Sequence, residues 1–342
     1  MDTTILGVLS QLAPDLMAEM ELRALILERI AALEPIGRRA LAARLNLPER
    51  EVRAAAEALK AAGCLTQSAA GMTLTPQGAR LTESARTVSR GRRTLQSMEQ
   101  SLSRKLGVER VCIVRGNCDD DPGVLSEVAR AAAAQLRFLL QDAHVLAVSG
   151  GETVARAAEA VTQAAPMDIT VVPAQGGLGT NVRTQANTQA ELLARRLGGG
   201  YRLLHLPDGL EADAADGLAR LPQVREVLEL MRGADVLLYG VGCAQDVAAR
   251  RGMSPAEREA LAREGAVAEA LGFYFDARGR VVGAGRSLAL SEKALGRENR
   301  AAVIAAGASK AAAIAAVCAH HPHRLLVTDE GAAARMLELL RD

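Results

Sequence analysis

The apolar positions divide the chain into two parts with different periods. Between residues 22 and 106 they recur every three or four positions, which is the period of helices that bury one face. From residue 110 onward, short continuous apolar runs alternate with further stretches of helical period. The first pattern predicts a small helical unit followed by one long helix. The second predicts the buried strands of a sheet and the helices that cover them.

Three short helices and a hairpin are predicted in the N-terminal part. Helical patterns cover residues 22–33, 38–45 and 49–62, and Pro35 and Pro48 interrupt them. Two short extended segments follow, separated by a turn of small residues. This order of elements is that of a winged helix-turn-helix, which places the second helix of its motif in the major groove of DNA.

Five charged side chains of this unit are candidates for contact with DNA. Those at the start of the third helix are expected to lie over base edges, and those at the start of the preceding helix are expected to lie beside phosphates. A three-helix protein-interaction module with a solvated basic face is the alternative interpretation. The candidates are Glu49, Arg50 and Arg53 for the bases, and Arg38 and Arg39 for the phosphates.

A long helix is predicted from residue 81 to residue 106, and its second half carries one apolar stripe. The stripe consists of Leu95, Met98, Leu102 and Leu106. Such a stripe is either the seam of a dimer or a linker face that packs on the next domain, and the sequence leaves both open. The expected division is a DNA-binding domain (1–85), a linker helix (86–106) and a second domain (107–342).

The second domain is predicted to be of the α/β class. Because helical stretches separate the buried runs, we expect a doubly wound parallel sheet with helices on both faces. Such sheets bind ligands at the carboxyl ends of their strands, near the point where the strand order reverses. The predicted strands cover residues 110–114, 145–148, 169–172, 201–206, 236–241 and 325–327, and the predicted helices cover 123–140, 153–164, 188–197, 221–233, 309–318 and 331–340.

Charge is distributed unevenly, although the whole chain of 342 residues carries a net charge of only +1. Residues 21–106 hold 15 Lys and Arg against 8 Glu, a net charge of +7, so the other residues together carry −6. A basic segment joined to an acidic domain favours a nucleic-acid-binding head. With no Trp, three Phe and three Tyr, a stacking surface for single strands is disfavoured, so the expected partner is double-stranded DNA.

Membrane and secreted classes of protein are disfavoured. No apolar run approaches the roughly 18 residues that a membrane span needs, and the first residues lack the basic region of a secretory signal. The five cysteines are scattered and form no CxxC pair, which is typical of free thiols in a reducing compartment. We expect a cytoplasmic protein with no membrane partner.

Three loops that contain glycine or begin a helix converge at the predicted ligand edge of the sheet. Free backbone N–H groups at helix starts can hold an anion such as phosphate. The dinucleotide fingerprint GxGxxG and the nucleotide loop GxxxxGK[ST] are both absent from the sequence, which disfavours a nucleotide. The loops contain Ser149, Gly150, Gly151, Glu152 and Thr153; Gln175, Gly176 and Gly177; and Ser309 and Lys310.

No pattern of catalytic or metal-binding residues stands out, since neither a Ser-His-Asp order nor a metal-ligand spacing is found. We therefore expect no catalytic residue, no metal and no cofactor. The histidine-rich run at 320–323 is interpreted as a polar surface turn, with a metal site as the less favoured alternative. Cys243, which follows a predicted strand, is interpreted as a small buried apolar residue rather than a nucleophile.

Eight runs of residues, in order through both domains, carry a resemblance to a known family. They are Pro35-Ile36-Gly37-Arg38-Arg39, Gly71-Met72-Thr73-Leu74-Thr75, Pro173-Ala174-Gln175-Gly176-Gly177-Leu178-Gly179, Gln185-Ala186-Asn187-Thr188, Arg250-Arg251, Ala270-Leu271-Gly272-Phe273-Tyr274-Phe275, Ser309-Lys310-Ala311 and Val327-Thr328-Asp329-Glu330-Gly331-Ala332-Ala333. The chain resembles the central glycolytic genes regulators, which are SorC-type bacterial repressors. This resemblance implies a winged helix-turn-helix joined to an effector domain similar to sugar-phosphate isomerases. It also implies a homodimer or homotetramer whose operator binding is weakened by fructose 1,6-bisphosphate.

The resemblance further implies which residues surround the sugar phosphate. Ser309 and Lys310 are expected to hold one phosphate, and Thr153 with the neighbouring glycines a second. Two positions depart from the family, which has a threonine in place of Glu152 and an arginine in place of Gln175; both departures lower the affinity for an anion. Glu152 can instead swing out, pair with an arginine or accept a hydrogen bond from a sugar hydroxyl. The implied set is Gly150, Gly151, Thr153, Gln185, Arg250, Glu269 and Lys310.

These observations favour a DNA-binding repressor that is not an enzyme and that senses a phosphorylated sugar. Fructose 1,6-bisphosphate is the first expectation for the effector, and a hexose or triose monophosphate is the second. One alternative is an isomerase-like or deaminase-like enzyme with a DNA-binding head, although an isomerase has no use for such a head. The other alternative is a regulator that binds no small molecule.

Overall fold

The computed structural model describes residues 13–162, 165–177, 180–207, 212–284 and 301–341. The chain forms two compact units, which divide between Thr94 and Leu95. No helix within the described ranges combines the length and the apolar character needed to cross a bilayer.

The N-terminal unit is a winged helix-turn-helix, as predicted. It consists of helices α1 (Pro14–Leu33), α2 (Arg38–Leu45) and α3 (Glu49–Ala61), followed by an antiparallel hairpin of strands β1 (Leu65–Ser68) and β2 (Gly71–Leu74). Buried side chains from all three helices and the hairpin, among them Ile26, Leu41, Val52 and Met72, form one apolar core. The unit therefore has a core of its own.

Two backbone positions explain why this sequence adopts the motif. Asn46 ends α2 in the left-handed conformation, with φ 53°, which asparagine tolerates better than most residues. Gly71 begins β2 with φ 137°, and a Cβ atom there would lie 2.8 Å from the backbone of Ile36. Ile36 forms an antiparallel bridge with Met72, so glycine at position 71 lets the hairpin pack against the segment that precedes α2.

Helix α4 (Pro76–Leu106) begins earlier than residue 81, because proline suits the first turn of a helix, where no N–H donor is needed. Its apolar stripe belongs to the C-terminal unit. Leu102 and Leu106 are buried in a core of that unit, and Leu95 and Met98 pack against the same core. The stripe is thus covered within the chain, which favours the linker interpretation over the dimer seam.

The C-terminal unit alternates strands and helices along most of its length. Its strands are β3 (Val108–Val114), β4 (Val145–Val148), β5 (Thr170–Pro173), β6 (Gly200–Tyr201), β7 (Val236–Tyr239), β8 (Gly242–Cys243), β9 (Ala266–Ala270), β10 (Phe273–Asp276), β11 (Val281–Ala284), β12 (Ala301–Ile304) and β13 (His323–Asp329). Its helices are α5 (Pro122–Leu139), α6 (Glu152–Ala160), α7 (Ala186–Leu197), α8 (Ala212–Ala219), α9 (Pro222–Arg232), α10 (Ala244–Arg250), α11 (Pro255–Arg263), α12 (Ala311–His320) and α13 (Glu330–Leu339).

Seven of these strands form one sheet, in the order β3-β13-β12-β7-β4-β5-β6, and every neighbouring pair is parallel. Leu146 and Ala147, which are successive residues of β4, belong to different apolar cores. Because side chains alternate across a strand, the two cores cover opposite faces of the sheet. This is the predicted doubly wound α/β architecture.

Parts of this unit differ from the prediction. Strands β8 to β11 form a separate antiparallel sheet, which the sequence pattern did not indicate. Strand β12 was also missed, since its alanines are poor strand formers even though they are fully buried here. The strand predicted at 201–206 is only two residues long. The side chain of Asn187 bonds both the N–H and the carbonyl of Leu204, at 3.0 and 2.9 Å, and so replaces a strand partner.

The histidine-rich run is not a polar surface turn, so that interpretation was wrong. His321 and His323 are buried, and His323 lies in β13. The Nε2 atom of His323 lies 2.6 Å from the hydroxyl of Tyr239, and its Nδ1 atom lies 2.7 Å from the carbonyl oxygen of His321. Because both ring nitrogens have partners, the ring can be buried uncharged. Burial, with His321 adding to it, lowers the pKa of His323 to about 3.

Candidate functional site

The strand order of the large sheet reverses between β4 and β7. From β4 the chain moves outward to β5 and β6, then returns to β7 on the other side of β4 and continues toward β12 and β13. In open parallel sheets this reversal leaves a crevice at the carboxyl ends of the two central strands, where ligands bind. The loops that follow β4, β7, β12 and β13 all emerge at this edge.

The turn after β4 is fastened to its surroundings. The backbone N–H of Gly240, at the end of β7, donates to the Ser149 hydroxyl at 3.3 Å, and the N–H of Gly151 donates to the Thr184 carbonyl at 2.9 Å. A Cβ atom at Gly150 would collide with the same carbonyl, and Gly151 has φ 115°. Both glycines are therefore required by the path of the chain, before any ligand is considered.

Glu152, the first residue of α6, is paired with arginines. Its carboxylate accepts a hydrogen bond from Arg156 Nε at 2.8 Å and another from Arg183, and Arg183 also donates to Glu159 at 2.9 Å. Burial raises the pKa of Glu152, but the hydrogen bonds from the two arginines outweigh burial and lower the pKa overall. The two glutamates and two arginines together carry no net charge. Among the expected roles of Glu152, the structure shows pairing with arginine.

The second loop borders this turn. Gln175 is half-buried, and its Nε2 atom lies 3.3 Å from the position that a Cβ atom on Gly150 would take. The N–H of Gly177 donates to the carbonyl of Leu206 at 2.9 Å, and Gln185 lies beside Gly177. Gly176 and Thr153 are buried. The structure thus brings the residues of both loops together, while positions 178 and 179 lie outside the described residues.

The turn after β12 donates hydrogen bonds to the carboxylate of Asp119, a residue that was not predicted from the sequence to belong to the site. The backbone N–H of Ser309 donates to Asp119 Oδ2 at 2.8 Å, and the Ser309 hydroxyl donates to Asp119 Oδ1 at 3.1 Å. The adjacent N–H of Ala308 donates to Asn117 Oδ1 at 3.2 Å, and that of Gly307 donates to Asp329. The sequence did contain a signal for Asn117 and Asp119: they belong to the polar run that follows β3. Because all strands of a parallel sheet end at the same edge, that run could have been expected at the crevice.

Two cations stand at this end of the crevice. Lys310 is half-buried near Cys118 and Cys243. Burial raises the pKa of both thiols, to about 12 for Cys118, and the positive charge of Lys310 partly opposes this rise. An Arg250 guanidinium nitrogen lies 3.6 Å from the position that a Cβ atom on Gly242 would take. Within the described part of the chain, no carboxylate forms an ion pair with either side chain. Cys243 is half-buried rather than fully buried.

Glu269 and its neighbour Arg251 form a buried pair beside the crevice. The carboxylate accepts a hydrogen bond from Arg251 at 3.0 Å and another from the backbone N–H of Gly272 at 2.8 Å. Residue Glu269 pairs with Gly242 between strands β8 and β9, so its backbone borders the crevice. Its carboxylate thus has a structural role, and contact with a ligand stays a prediction.

The expected DNA contacts lie on the solvent side of the N-terminal unit. Arg50 and Arg53 are exposed on α3, opposite its buried face. Arg39 pairs with Glu49 at 3.5 Å, and Arg38 lies 3.6 Å from a glutamate later in α3. Ion pairs of this kind at the surface contribute little stability, and contact of these side chains with DNA stays a prediction.

Comparison with known proteins assigns both units. Residues 20–89 match the family described as the CggR N-terminal DNA binding domain, and residues 93–338 match a sugar-binding domain family. The chain is 35% identical over 341 residues to the central glycolytic genes regulator of Priestia megaterium, covering 99% of each chain. It is also 35% identical over 328 residues to the regulator of the same name from Bacillus subtilis, covering 96% of each.

The chain belongs to the central glycolytic genes regulators. A solved structure supports this assignment: a SorC-family transcriptional regulator from Enterococcus faecalis is 34% identical, with a TM-score of 0.65, and the match covers 70% of this chain and 99% of that one. As a member of the family, the chain is a sugar-sensing transcriptional regulator with a DNA-binding and a sugar-binding domain. Because these relatives are regulators, the expectation that it is not an enzyme is confirmed.

Proposed function

We propose that this regulator is a cytoplasmic repressor of central glycolytic genes. We further propose that a phosphorylated sugar binds in the crevice between β4 and β7 and lowers the affinity of the repressor for operator DNA. The observation that carries the proposal is the pair of cations at the crevice. Lys310 and Arg250 have no ion-pair partner among the described residues, and both lie close enough to the Cys243 thiol, which comes soon after β7, to lower its pKa. The loops at this edge are where parallel sheets bind ligands. A phosphate group is the anion that suits two such cations beside glycine-rich turns.

Two phosphosugars are candidates for the effector. Fructose 1,6-bisphosphate is favoured by the resemblance, and the name of the relatives, central glycolytic genes regulator, is consistent with an effector from glycolysis. A sugar monophosphate is the second candidate, because Glu152 and neutral Gln175 provide no net positive charge at the start of α6 for a second phosphate. The cations at Lys310 and Arg250 serve either ligand.

The proposed mechanism is a shift between two populations of the regulator. An effector can release DNA only if it binds the DNA-free arrangement more tightly than the operator-bound one. To move an equilibrium from mostly bound to mostly free, the difference in affinity must be on the order of 10⁴-fold. In a homodimer or homotetramer, the paired winged domains must match the spacing of two half-sites on the DNA. A change in the arrangement of the subunits therefore weakens operator binding.

Thermal unfolding with a panel of ligands tests the effector. Fructose 1,6-bisphosphate, fructose 6-phosphate, a triose phosphate and unphosphorylated fructose are each added to the whole chain. A ligand at a hundred times its Kd stabilises a one-site protein by about 2.7 kcal/mol, so binding shifts the melting temperature measurably. We expect a shift with at least one phosphosugar and none with fructose.

Operator release is the second measurement. The same ligands are titrated into the complex of the regulator with labelled operator DNA, and fluorescence anisotropy follows the release. Lys310→Gln is expected to abolish both the melting shift and the release, whereas Lys105→Gln, which removes a lysine outside the crevice, is expected to leave both unchanged. If no phosphosugar changes either readout, the proposed effector class is wrong.

A further inference from the structure

The side chain of Asp119 occupies the place where the effector phosphate is proposed to bind. Its two carboxylate oxygens receive the backbone N–H and the hydroxyl of Ser309, at 2.8 and 3.1 Å. Lys310, the next residue, has no ion pair within the described ranges. A carboxylate and a phosphate are both oxyanions and accept hydrogen bonds from the same donors. The donors of the proposed phosphate site are therefore already bound to an anion of the chain itself.

Gly307 lies beside Asp119 and shows how closely the loop after β12 packs against the loop after β3. A Cβ atom on Gly307 would lie 2.6 Å from Asp119 Oδ1, and the Cys118 sulfur would be 3.3 Å away. Glycine at 307 also has φ 107°, a backbone conformation that other residues rarely adopt. The absence of a side chain there leaves room for the carboxylate to reach Ser309.

The backbone around Asp119 is held by other contacts. The N–H of Cys118 donates to Asp329 Oδ2 at 2.7 Å, and the N–H of Gly116 donates to Glu330 at 3.1 Å. Asp119 itself is exposed to solvent. Its side chain can consequently rotate into water while the loop stays in place, and the displaced carboxylate is then solvated instead of being left buried and unpaired.

We infer that Asp119 is an internal competitor of the effector: its carboxylate fills the phosphate position in the free regulator and must leave when a phosphosugar binds. This inference rests on the proposed function and adds a residue that sets the affinity of the site. A dianionic phosphate replaces the carboxylate because it brings more charge to Lys310 and Arg250. A neutral sugar has no group that can do so, and the contact therefore favours phosphorylated ligands.

Asp119→Asn tests the inference in the whole chain. Asparagine keeps the shape and one acceptor atom, but it loses the charge that competes with phosphate. The Kd of fructose 1,6-bisphosphate and of fructose 6-phosphate, measured by isothermal titration, is expected to fall about tenfold, which corresponds to ~1.4 kcal/mol. Less effector should then release operator DNA. Inorganic phosphate is expected to show the same direction of change.

Asp120→Asn is the matched control. It makes the same change of charge one residue away, where the carboxylate bonds Asn117 Nδ2 at 2.8 Å and not Ser309. Its Kd values are expected to stay within about twofold of the native ones. If the Kd falls by a similar factor in both variants, the effect comes from the overall charge of the loop and not from the contact of Asp119 with Ser309. That result would overturn the inference.

The remaining outcomes separate the two proposals. If the native chain binds a phosphosugar and Asp119→Asn binds it equally well or more weakly, Asp119 is a structural cap or a ligand of the sugar, and only this inference fails. If neither protein binds any phosphosugar, the proposed function fails and the inference with it. Should Asp119→Asn not fold, Asp119→Ser makes the same charge change with a shorter polar side chain.

Discussion

Removal of the Glu152 charge is the sharpest test of how the effector is chosen. Glu152→Gln keeps the size of the side chain, while the charge of the four-residue network that includes Arg156, Glu159 and Arg183 rises from zero to +1. The start of α6 is where a second phosphate is expected to lie. The variant should therefore bind bisphosphates more tightly and bind monophosphates as before.

The magnitude follows from the charge and its exposure. Two unit charges about 6 Å apart interact by ~3 kcal/mol at an effective dielectric constant of about 20. The Glu152 side chain is 43% exposed, so water and salt weaken this interaction. About 1 to 1.5 kcal/mol remains, which is roughly a tenfold change in Kd. The lost ion pairs are exposed as well, and their effect on folding stability should stay below about 1 kcal/mol.

The assay is a comparison of two Kd values in three proteins. Isothermal titration gives the ratio of the Kd of fructose 6-phosphate to that of fructose 1,6-bisphosphate for the native chain, Glu152→Gln and Glu159→Gln. The last variant makes the same charge change at the far side of Arg183. We expect the ratio to rise about tenfold in Glu152→Gln alone. An unchanged ratio, or an equal rise in Glu159→Gln, would refute the reasoning.

Three further predictions concern stability and DNA binding. Because burial lowers the pKa of His323 to about 3, below its unfolded value, the stability that its neutral ring contributes is complete above pH ~6.5 and is lost as the pH falls toward 3. The free energy of unfolding, measured by urea titration, should fall by up to about 1.4 kcal/mol per pH unit in this range, and it should not fall if the ring is charged in the native state. Glu269→Gln should lower the free energy of unfolding by about 3 kcal/mol, since it removes the charged acceptor from a largely buried ion pair with Arg251, and a loss below ~1 kcal/mol would contradict this. Arg53→Ala should weaken operator binding without changing the urea midpoint, because the side chain is exposed, whereas an unchanged operator Kd would remove it from the interface.

The fold was largely predictable because its signals are local. The turn at Asn46 and Pro48 and the alternation of apolar runs with helices each depend on a few neighbouring residues. They sufficed for the winged helix-turn-helix and for the parallel sheet. Strand β12 was missed because its Ala-Ala-Val-Ile sequence is strand-like only when neighbouring strands lie on both sides, which is a tertiary condition.

The site was less predictable because its decisive contacts join distant residues. The hydroxyl of Tyr239 lies 84 positions from His323 and turns an apparent surface histidine into a buried one. Asp119 lies 190 positions from Ser309, and Arg183 lies 31 positions from Glu152. Loop sequences can predict that an anion suits a turn, but they do not reveal which side chain of the chain already fills it.

Glu152 and Asp119 differ in how strongly their carboxylates are bound. This difference predicts which of the two proposed phosphate positions is occupied first. Glu152 is bound by two cationic side chains, so its removal leaves uncompensated positive charge. Asp119 is bound by neutral donors of Ser309, which form weaker hydrogen bonds than charged ones do. An incoming phosphate therefore displaces Asp119 more readily than Glu152. The first phosphate of any phosphosugar should engage Lys310, while the environment of Glu152 decides only whether a second phosphate is accepted.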